Sequence, residues 1–370
     1  MQPDEQGFLY PVINIKDCIE CNLCNRICPV INQYPPRNPK EVYAAKNTND
    51  EIITHSSSGG IFYELAVGIL KEGGVVFGAK YNSDWTVEHG YTESITELEL
   101  FMGSKYMQSV IGDSYLQTKK FLDSNRKVLF SGTPCQIAGL KRFLRKDYSD
   151  LLLTVDVICH GVPSPMIWDQ YLQRILKPYG MKKSNIKSLS FRDKSTGWAD
   201  FSLKIEAKTP INERTIGQKS TILKDIHRKN VFMNIFLNNF CLRPSCYNCP
   251  AKAGKSSSDI SLGDFWDIQY IYPEFYSQSG VSLILRYDDK PLSFHGLKLL
   301  KSNYKMALSA NNCIEKSCPR PNGYFKLWNL IESHGIDAMF EYEKKLRPSI
   351  FTRAYYKITN MLRRRIASWK

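Results

Sequence analysis

Apolar residues in this chain come in short runs separated by Gly, Pro, Ser and Asn clusters, and the runs alternate between two periods. Residues 61–70 repeat their apolar positions at helical spacing, Gly73-Gly74 closes that helix, and residues 75–79 then read as a buried strand. Residues 127–130 predict a second strand, Ser131-Gly132-Thr133-Pro134-Cys135 a turn, and residues 136–144 a helix. A third strand is expected over 151–158, followed by Cys159-His160-Gly161-Val162-Pro163-Ser164 and a helix over 166–176. Repeated strand–turn–helix units predict an α/β layer with parallel strands, and ligands gather at the carboxyl ends of such strands. The turns after Phe130 and Ile158 are therefore expected on one edge. Residues 185–285 are more mixed, with shorter strands such as 201–206 and 281–286.

The expected fold class is α/β with mixed α+β character, a ferredoxin-like N-terminal segment being attached to an α/β core. Four parts are expected. Residues 1–40 are the ferredoxin-like segment, ending at Tyr34-Pro35-Pro36-Arg37-Asn38-Pro39, which neither continues a helix nor donates well to a sheet. Residues 41–180 form the α/β domain, 181–330 a C-terminal domain, and 331–370 a basic helical tail.

The cysteines bring in chemistry. Cys18, Cys21, Cys24 and Cys28-Pro29 follow the C-x2-C-x2-C-x3-C-P spacing of bacterial ferredoxins. Three thiolates on a tight turn hold three irons of one [4Fe–4S] cube, and the fourth normally reaches a second cube. Disulfide bridging suits such spacings poorly, and zinc usually takes two separated pairs. Electron transfer is the expected role. A second group, Cys241-x4-Cys246-x2-Cys249-Pro250, needs one more ligand. Cys135 is the candidate, because a helix start favours a thiolate. A [4Fe–4S] cube on Cys135, Cys241, Cys246 and Cys249, a zinc ion on the same four, and plain structural cysteines all remain open. Cys313 and Cys318 read as ordinary buried thiols.

Charge changes the picture little. The formal net charge is +14, but nine Lys or Arg and no acidic residue lie between Lys344 and Lys370, leaving 41 basic against 36 acidic residues elsewhere. A nucleic-acid-binding body is not expected. In the tail Ile350, Ala354, Ile358, Leu362, Ile366 and Trp369 fall near one helical face beside Arg363, Arg364 and Arg365. Peripheral contact with an anionic membrane, docking to an acidic partner, and a solvated terminus are three readings of it. No run approaches the ~18 apolar residues that span a bilayer, and no export signal precedes the first cysteine. With eleven cysteines in metal-like spacings, a reducing cytoplasm is the expected compartment.

Ser56-Ser57-Ser58-Gly59-Gly60 before a helix has the makings of a phosphate cradle, though such clusters are also plain caps and turns. His160, at a strand end on the edge of Cys135, is a candidate proton donor to a flavin or substrate; a helix-capping histidine is the plainer reading.

Several short segments, in one order, resemble the coenzyme F420 hydrogenase/dehydrogenase beta-subunit family over roughly residues 7 to 325. They are Gly7-Phe8-Leu9-Tyr10-Pro11 with the ferredoxin cysteines, Ser56 to Gly60, Gly103-Ser104-Lys105-Tyr106-Met107-Gln108-Ser109, and Ser131-Gly132-Thr133-Pro134-Cys135-Gln136. Then come Cys159 to Ser164, Phe191-Arg192-Asp193-Lys194 with Gly197-Trp198, the second cysteine group, and Asp259-Ile260-Ser261-Leu262-Gly263-Asp264-Phe265-Trp266. The resemblance implies an iron–sulfur flavoprotein carrying FAD beside a [4Fe–4S] cluster. It implies a flavin-phosphate site at Ser57, Ser58, Gly59 and Gly60 within residues 41–180, and flavin-pocket roles for Lys105, Tyr106, Gln108 and Thr133. It does not fix the hydride partner, since relatives include bacterial proteins encoded beside polysaccharide-building enzymes and a plant chlorophyll-cycle reductase. Two-cluster relatives carry an earlier cysteine run before the Gly7 to Pro11 linker, so the natural start is expected upstream of Met1.

The expected function is an oxidoreductase that passes electrons between [4Fe–4S] clusters and FAD. A ferredoxin or a hydride-donating coenzyme would be its redox carrier, and a small molecule its substrate, with polysaccharide building as one setting. Two other readings stand beside it: an electron-relay subunit with no substrate of its own, and a non-catalytic metal-stabilised protein of glycan assembly.

Overall fold

The computed structural model describes residues 1–208, 219–290 and 295–347. Its strands are β1 (Gln2–Pro3), β2 (Leu9–Tyr10), β3 (Glu41–Asn47), β4 (Val75–Tyr81), β5 (Val87–Thr92), β6 (Val128–Gly132) and β7 (Leu152–Val157). They continue as β8 (Ile186–Asp193), β9 (Ser202–Lys208), β10 (Lys219–Ile226), β11 (Ile260–Asp264), β12 (Ser282–Arg286) and β13 (Leu297–Ser302). The main sheet has the order β13-β3-β12-β11-β7-β6-β4-β5. Its centre, β4, β6, β7 and β11, is parallel, and antiparallel strands flank it on both sides. The fold is thus mixed α/β. The parallel strands carry the near-continuous apolar runs of a sheet covered on both faces, with Val75 to Phe77 and Val128 to Phe130 fully buried. The expected domains 41–180 and 181–330 share this sheet, because β11 lies beside β7.

The helices are α1 (Leu23–Ile27), α2 (Asp50–His55), α3 (Ile61–Lys71), α4 (Ser114–Asp123), α5 (Pro134–Leu144), α6 (Pro165–Leu176) and α7 (Val231–Leu237). After them come α8 (Ile268–Ile271), α9 (Tyr304–Ala310), α10 (Tyr324–His334) and α11 (Asp337–Leu346). Helix α5 begins inside the expected turn. Pro134 supplies a ready-made φ at the first helical position, and the Thr133 N–H donates to Gln136 Oε1 at 2.9 Å. Cys135 consequently sits in the first turn of α5. A second antiparallel sheet, β10-β9-β8, packs with α6, α7, α10 and α11 around Trp168, Tyr171, Phe191, Phe232 and Phe236.

The N-terminal segment is bound to the core rather than tethered. Phe8 is fully buried, Ser164 Oγ donates to Gln6 O at 2.5 Å, and Arg243 Nη2 donates to Leu9 O at 3.0 Å. Helix α1 contacts α5, and Arg142 of α5 stacks over Tyr34 at 4.2 Å. Cys18, Cys21 and Cys24 are exposed and Cys28 half-buried, on a turn whose Glu20 and Asn22 have φ of 53° and 59°. No helix among the described residues is long and apolar enough to cross a membrane. The expected membrane-contacting face of the tail, from residue 348 on, lies outside the described residues.

Candidate functional site

At the carboxyl edge of β6, β7 and β11 lies a cavity of about 600 Å³. The strands end there in Gly132-Thr133, Ile158-Cys159-His160 and Asp264, all on its wall. The turns expected on one edge are therefore together, as parallel pairing of β6 with β7 requires. Ser57, Ser58 and Gly60 line the cavity at the start of the 11-residue helix α3, whose first N–H groups are free to meet an anion. Ser57 Oγ and Ser104 Oγ lie 2.7 Å apart, and Ser58 Oγ is buried without a hydrogen-bond partner among the described residues. Lys105, Tyr106 and Thr133 also line the cavity.

Gly59 and Gln108 are not on the wall. The Gly59 N–H donates to Ser282 Oγ at 2.8 Å and its carbonyl accepts from the Asn47 N–H at 2.7 Å. A β-carbon at Gly59 would stand 2.5 Å from Ala45 O, so glycine is required there by the approach of β3. Gln108 Oε1 is buried and unpartnered among the described residues.

Burial governs the electrostatics. It pulls the Lys105 ammonium down to about 7, with Nζ donating to Met102 O at 2.9 Å. Lys194 is likewise pulled to about 7, by burial first and by Arg192 second. Its Nζ donates to Ser58 O at 3.0 Å, Ser279 O at 2.6 Å and Ile53 O, pinning the serine turn.

Four thiols gather beside the cavity: Cys135, Cys159, Cys246 and Cys249. Burial raises the Cys159 thiol, which Lys252 pulls down and the other three push up. Burial pushes Cys246 up to about 12, with Cys135 and Cys249 adding to it. Cys249 is raised by burial and by Cys135. Cys241 stands elsewhere. It is fully buried in the aromatic core, its carbonyl accepts from the Ser164 N–H at 2.8 Å, and it interacts with Tyr247 and Tyr324. The Arg243 N–H donates to Val162 O at 2.9 Å, and this loop pairing delivers Cys246 to the end of β7 while leaving Cys241 behind. Cys159, rather than Cys241, stands with Cys135, Cys246 and Cys249. Only the folded chain reveals this, since Cys159 is 82 or more residues from the other group in sequence.

His160 lines the cavity with its ring edge on Phe236, centroids 5.2 Å apart at 76°. Its Nδ1 lies 3.4 Å from Cys318 Sγ, and its Nε2 is buried without a partner among the described residues. Two features were not among the expected site residues. Arg192, buried at 7 % exposure, donates to Asp264 at 2.5 and 3.2 Å, and Trp198 Nε1 donates to the same carboxylate at 2.8 Å. Trp266 stacks on Trp198 at 4.9 Å and lines the cavity. His89, on the antiparallel edge strand β5, lies 2.9 Å from Ser109 Oγ and 3.0 Å from Ser131 O, and burial pulls it to about 4.

The residues fit the groups the resemblance implies. A cavity of this size suits a large cofactor, a helix start and an unpartnered Ser58 hydroxyl face it, and four sulfurs adjoin it. The cysteine run at 18–28 is tied to the same place through the contact of α1 with α5, which carries Cys135.

Residues 125–292 match the family model for the C terminus of the coenzyme F420 hydrogenase/dehydrogenase beta subunit. No curated protein matches the chain. Among solved structures it is similar to a chain of the xenon-derivatised F420-reducing [NiFe] hydrogenase complex from Methanosarcina barkeri. That match has 17 % identity and a TM-score of 0.47, covering 77 % of this chain and 90 % of that one. Residues 125–292, which carry Cys135, Cys159 and the second cysteine group, are thus similar to the C-terminal part of the coenzyme F420 hydrogenase/dehydrogenase beta-subunit family.

Proposed function

We propose that this protein is an iron–sulfur flavoprotein oxidoreductase that passes electrons between [4Fe–4S] clusters and FAD. The observation that carries the reading is the position of Cys159, which lies on the cavity wall and interacts with Cys135, Cys246 and Cys249. One cluster would be held by those four thiols and one by Cys18, Cys21 and Cys24, with Cys28, which in two-cluster ferredoxins reaches the other cube, as its improvised fourth ligand. FAD, when bound, exchanges electron pairs with a substrate and single electrons with a cluster.

The protein's part is binding and electrostatics. Ser57, Ser58 and the N–H groups at the start of α3 would hold the cofactor's phosphates. Lys105, easily recharged, would answer their negative charge, and Tyr106 and Thr133 would border the ring. Lys194 holds the Ser58 turn from behind. Lys252 sits among the cluster thiols and favours their ionised forms. Near the first cysteine run Val12, Ile13, Ile15, Ile19, Val30 and Ile31 are exposed by 56 % to 85 %, a surface that suits docking of a redox carrier such as a ferredoxin. The thiols need a reducing compartment, and we place the protein in the cytoplasm.

Anaerobic purification followed by iron, sulfide and flavin analysis tests the reading. About four or eight irons and one FAD per chain are expected, one or two cubes being filled. Zinc without iron, and no flavin, would sink it. Flavin reduction by a carrier with no turnover of any small molecule would make the chain a relay subunit.

A further inference from the structure

We propose that His160, Cys313 and Cys318 form a separate zinc site whose fourth coordination position opens into the cavity. The three side chains come from distant parts of the fold. His160 follows β7, whereas Cys313 and Cys318 lie on the loop after α9. Even so, one ligand atom from each lies within 4.8 Å of the other two. Cys318 Sγ is 3.4 Å from His160 Nδ1. Zinc–sulfur and zinc–nitrogen bonds of about 2.3 and 2.0 Å at a tetrahedral angle put sulfur and nitrogen about 3.5 Å apart and two sulfurs about 3.8 Å apart. The spacing is thus close to that of a formed site.

The surroundings hold the ligands in place. The Cys313 N–H donates to Asn311 Oδ1 at 3.2 Å, and Lys252 Nζ ties Cys313 O, at 2.6 Å, to Cys159 O. Phe236 packs edge-on against the imidazole. The Cys318 thiol donates to His160 O at 3.0 Å. Metal binding would release that proton and the one on Cys313, leaving two thiolates to balance the dication.

Zinc accounts for all three groups together, whereas a disulfide would use the sulfurs and leave the imidazole nitrogen unexplained. Two thiolates and one imidazole suit a borderline-soft dication, and three protein ligands are the pattern of zinc sites that keep a position for water or substrate. Cys318 is buried at 6 % exposure, while His160 and Cys313 reach the cavity wall, so the open position faces the cavity. Cys313 and Cys318 are not expected cluster ligands, so this inference stands apart from the flavin reading. It makes His160 a metal ligand through Nδ1 rather than a proton donor there.

The test uses the full chain, purified anaerobically, with zinc and iron measured for the wild type and the Cys313→Ser/Cys318→Ser variant. The variant should lack one zinc per chain and keep the wild-type iron content. Titration with Co²⁺ should give thiolate-to-cobalt absorption in the wild type beyond that of the variant. Equal zinc in both proteins overturns the proposal, as does no zinc in the wild type after exposure to Zn²⁺. Alkylation of the wild type, read by peptide mass spectrometry, does not depend on the variant folding. Cys313 and Cys318 should be protected with Zn²⁺ and modified after chelation. Equal modification in both states, or a Cys313–Cys318 disulfide in protein that binds no Zn²⁺, refutes the site.

Discussion

Cys159 and His160 are neighbours in the chain but serve different sulfur groups: Cys159 interacts with Cys135, Cys246 and Cys249, whereas His160 Nδ1 lies 3.4 Å from Cys318 Sγ. The end of β7 is therefore a junction. Lys252 spans it from behind, donating to the carbonyls of Cys159 and Cys313.

The position of Cys159 makes a comparison of single variants informative. Cys159→Ser and Cys135→Ser should each remove about four irons per chain and the absorption of one cluster. Cys241→Ala should keep the iron and cost about 1–2 kcal/mol in denaturant unfolding, because it removes a buried sulfur from the aromatic core. Iron analysis with urea titration checks both. Iron lost from the Cys241 variant and retained in the Cys159 variant would reverse the ligand assignment.

Gly161 follows this pair at a φ of 149°, and a β-carbon there would stand 2.9 Å from Leu242 Cδ1 and 3.4 Å from Cys246 Cβ. Gly161→Ala should cost on the order of 1–3 kcal/mol and push the Cys246 loop away. The expected result is a lower iron content in protein whose far-ultraviolet circular dichroism is unchanged.

Lys105 predicts a pH dependence. Its folded pKa, about 7, lies below the ordinary lysine value of 10.5, so between those values the unfolded chain holds a proton that the folded chain has lost. Stability from this group rises with pH through that window, and the burial cost is fully present below pH 7. Lys105→Met should raise the Tm of flavin-free protein at pH 7 by about 1–3 °C, and the gain should shrink as the pH approaches 9. The same variant should hold less flavin after gel filtration. A gain that grows with pH would contradict the assignment.

The Arg192–Asp264 pair is buried and shared with Trp198. Asp264→Asn leaves the guanidinium without its counter-charge and should destabilise the protein by about 3–5 kcal/mol in chemical denaturation. Replacing both partners by apolar residues should cost much less. A single-variant loss under about 1 kcal/mol would show that solvent reaches the pair.

The local pattern was enough to reveal the parallel units. Strands at Val75, Val128 and Leu152, and helices α3, α5 and α6, stand within a few residues of their expected places, because each is set by apolar period, Gly or Pro punctuation and capping. The Thr133/Gln136 cap that moved the start of α5 follows the same local logic. The cavity was legible as an edge of the sheet, since the direction of parallel strands places all their following turns together.

Which thiols meet was decided by tertiary structure alone. Spacing along the chain identified Cys241, Cys246 and Cys249 as a set, but pairing of the loops at 162–164 and 241–243 turns Cys241 into the core and brings Cys159 to Cys246. The meeting of His160 with Cys313 and Cys318 was equally beyond reach, as 153 residues separate His160 from Cys313. The reason is physical. Periodicity and caps act over one or two turns of chain, whereas a ligand set depends on which loops the sheet order makes neighbours, and that order is a property of the whole core.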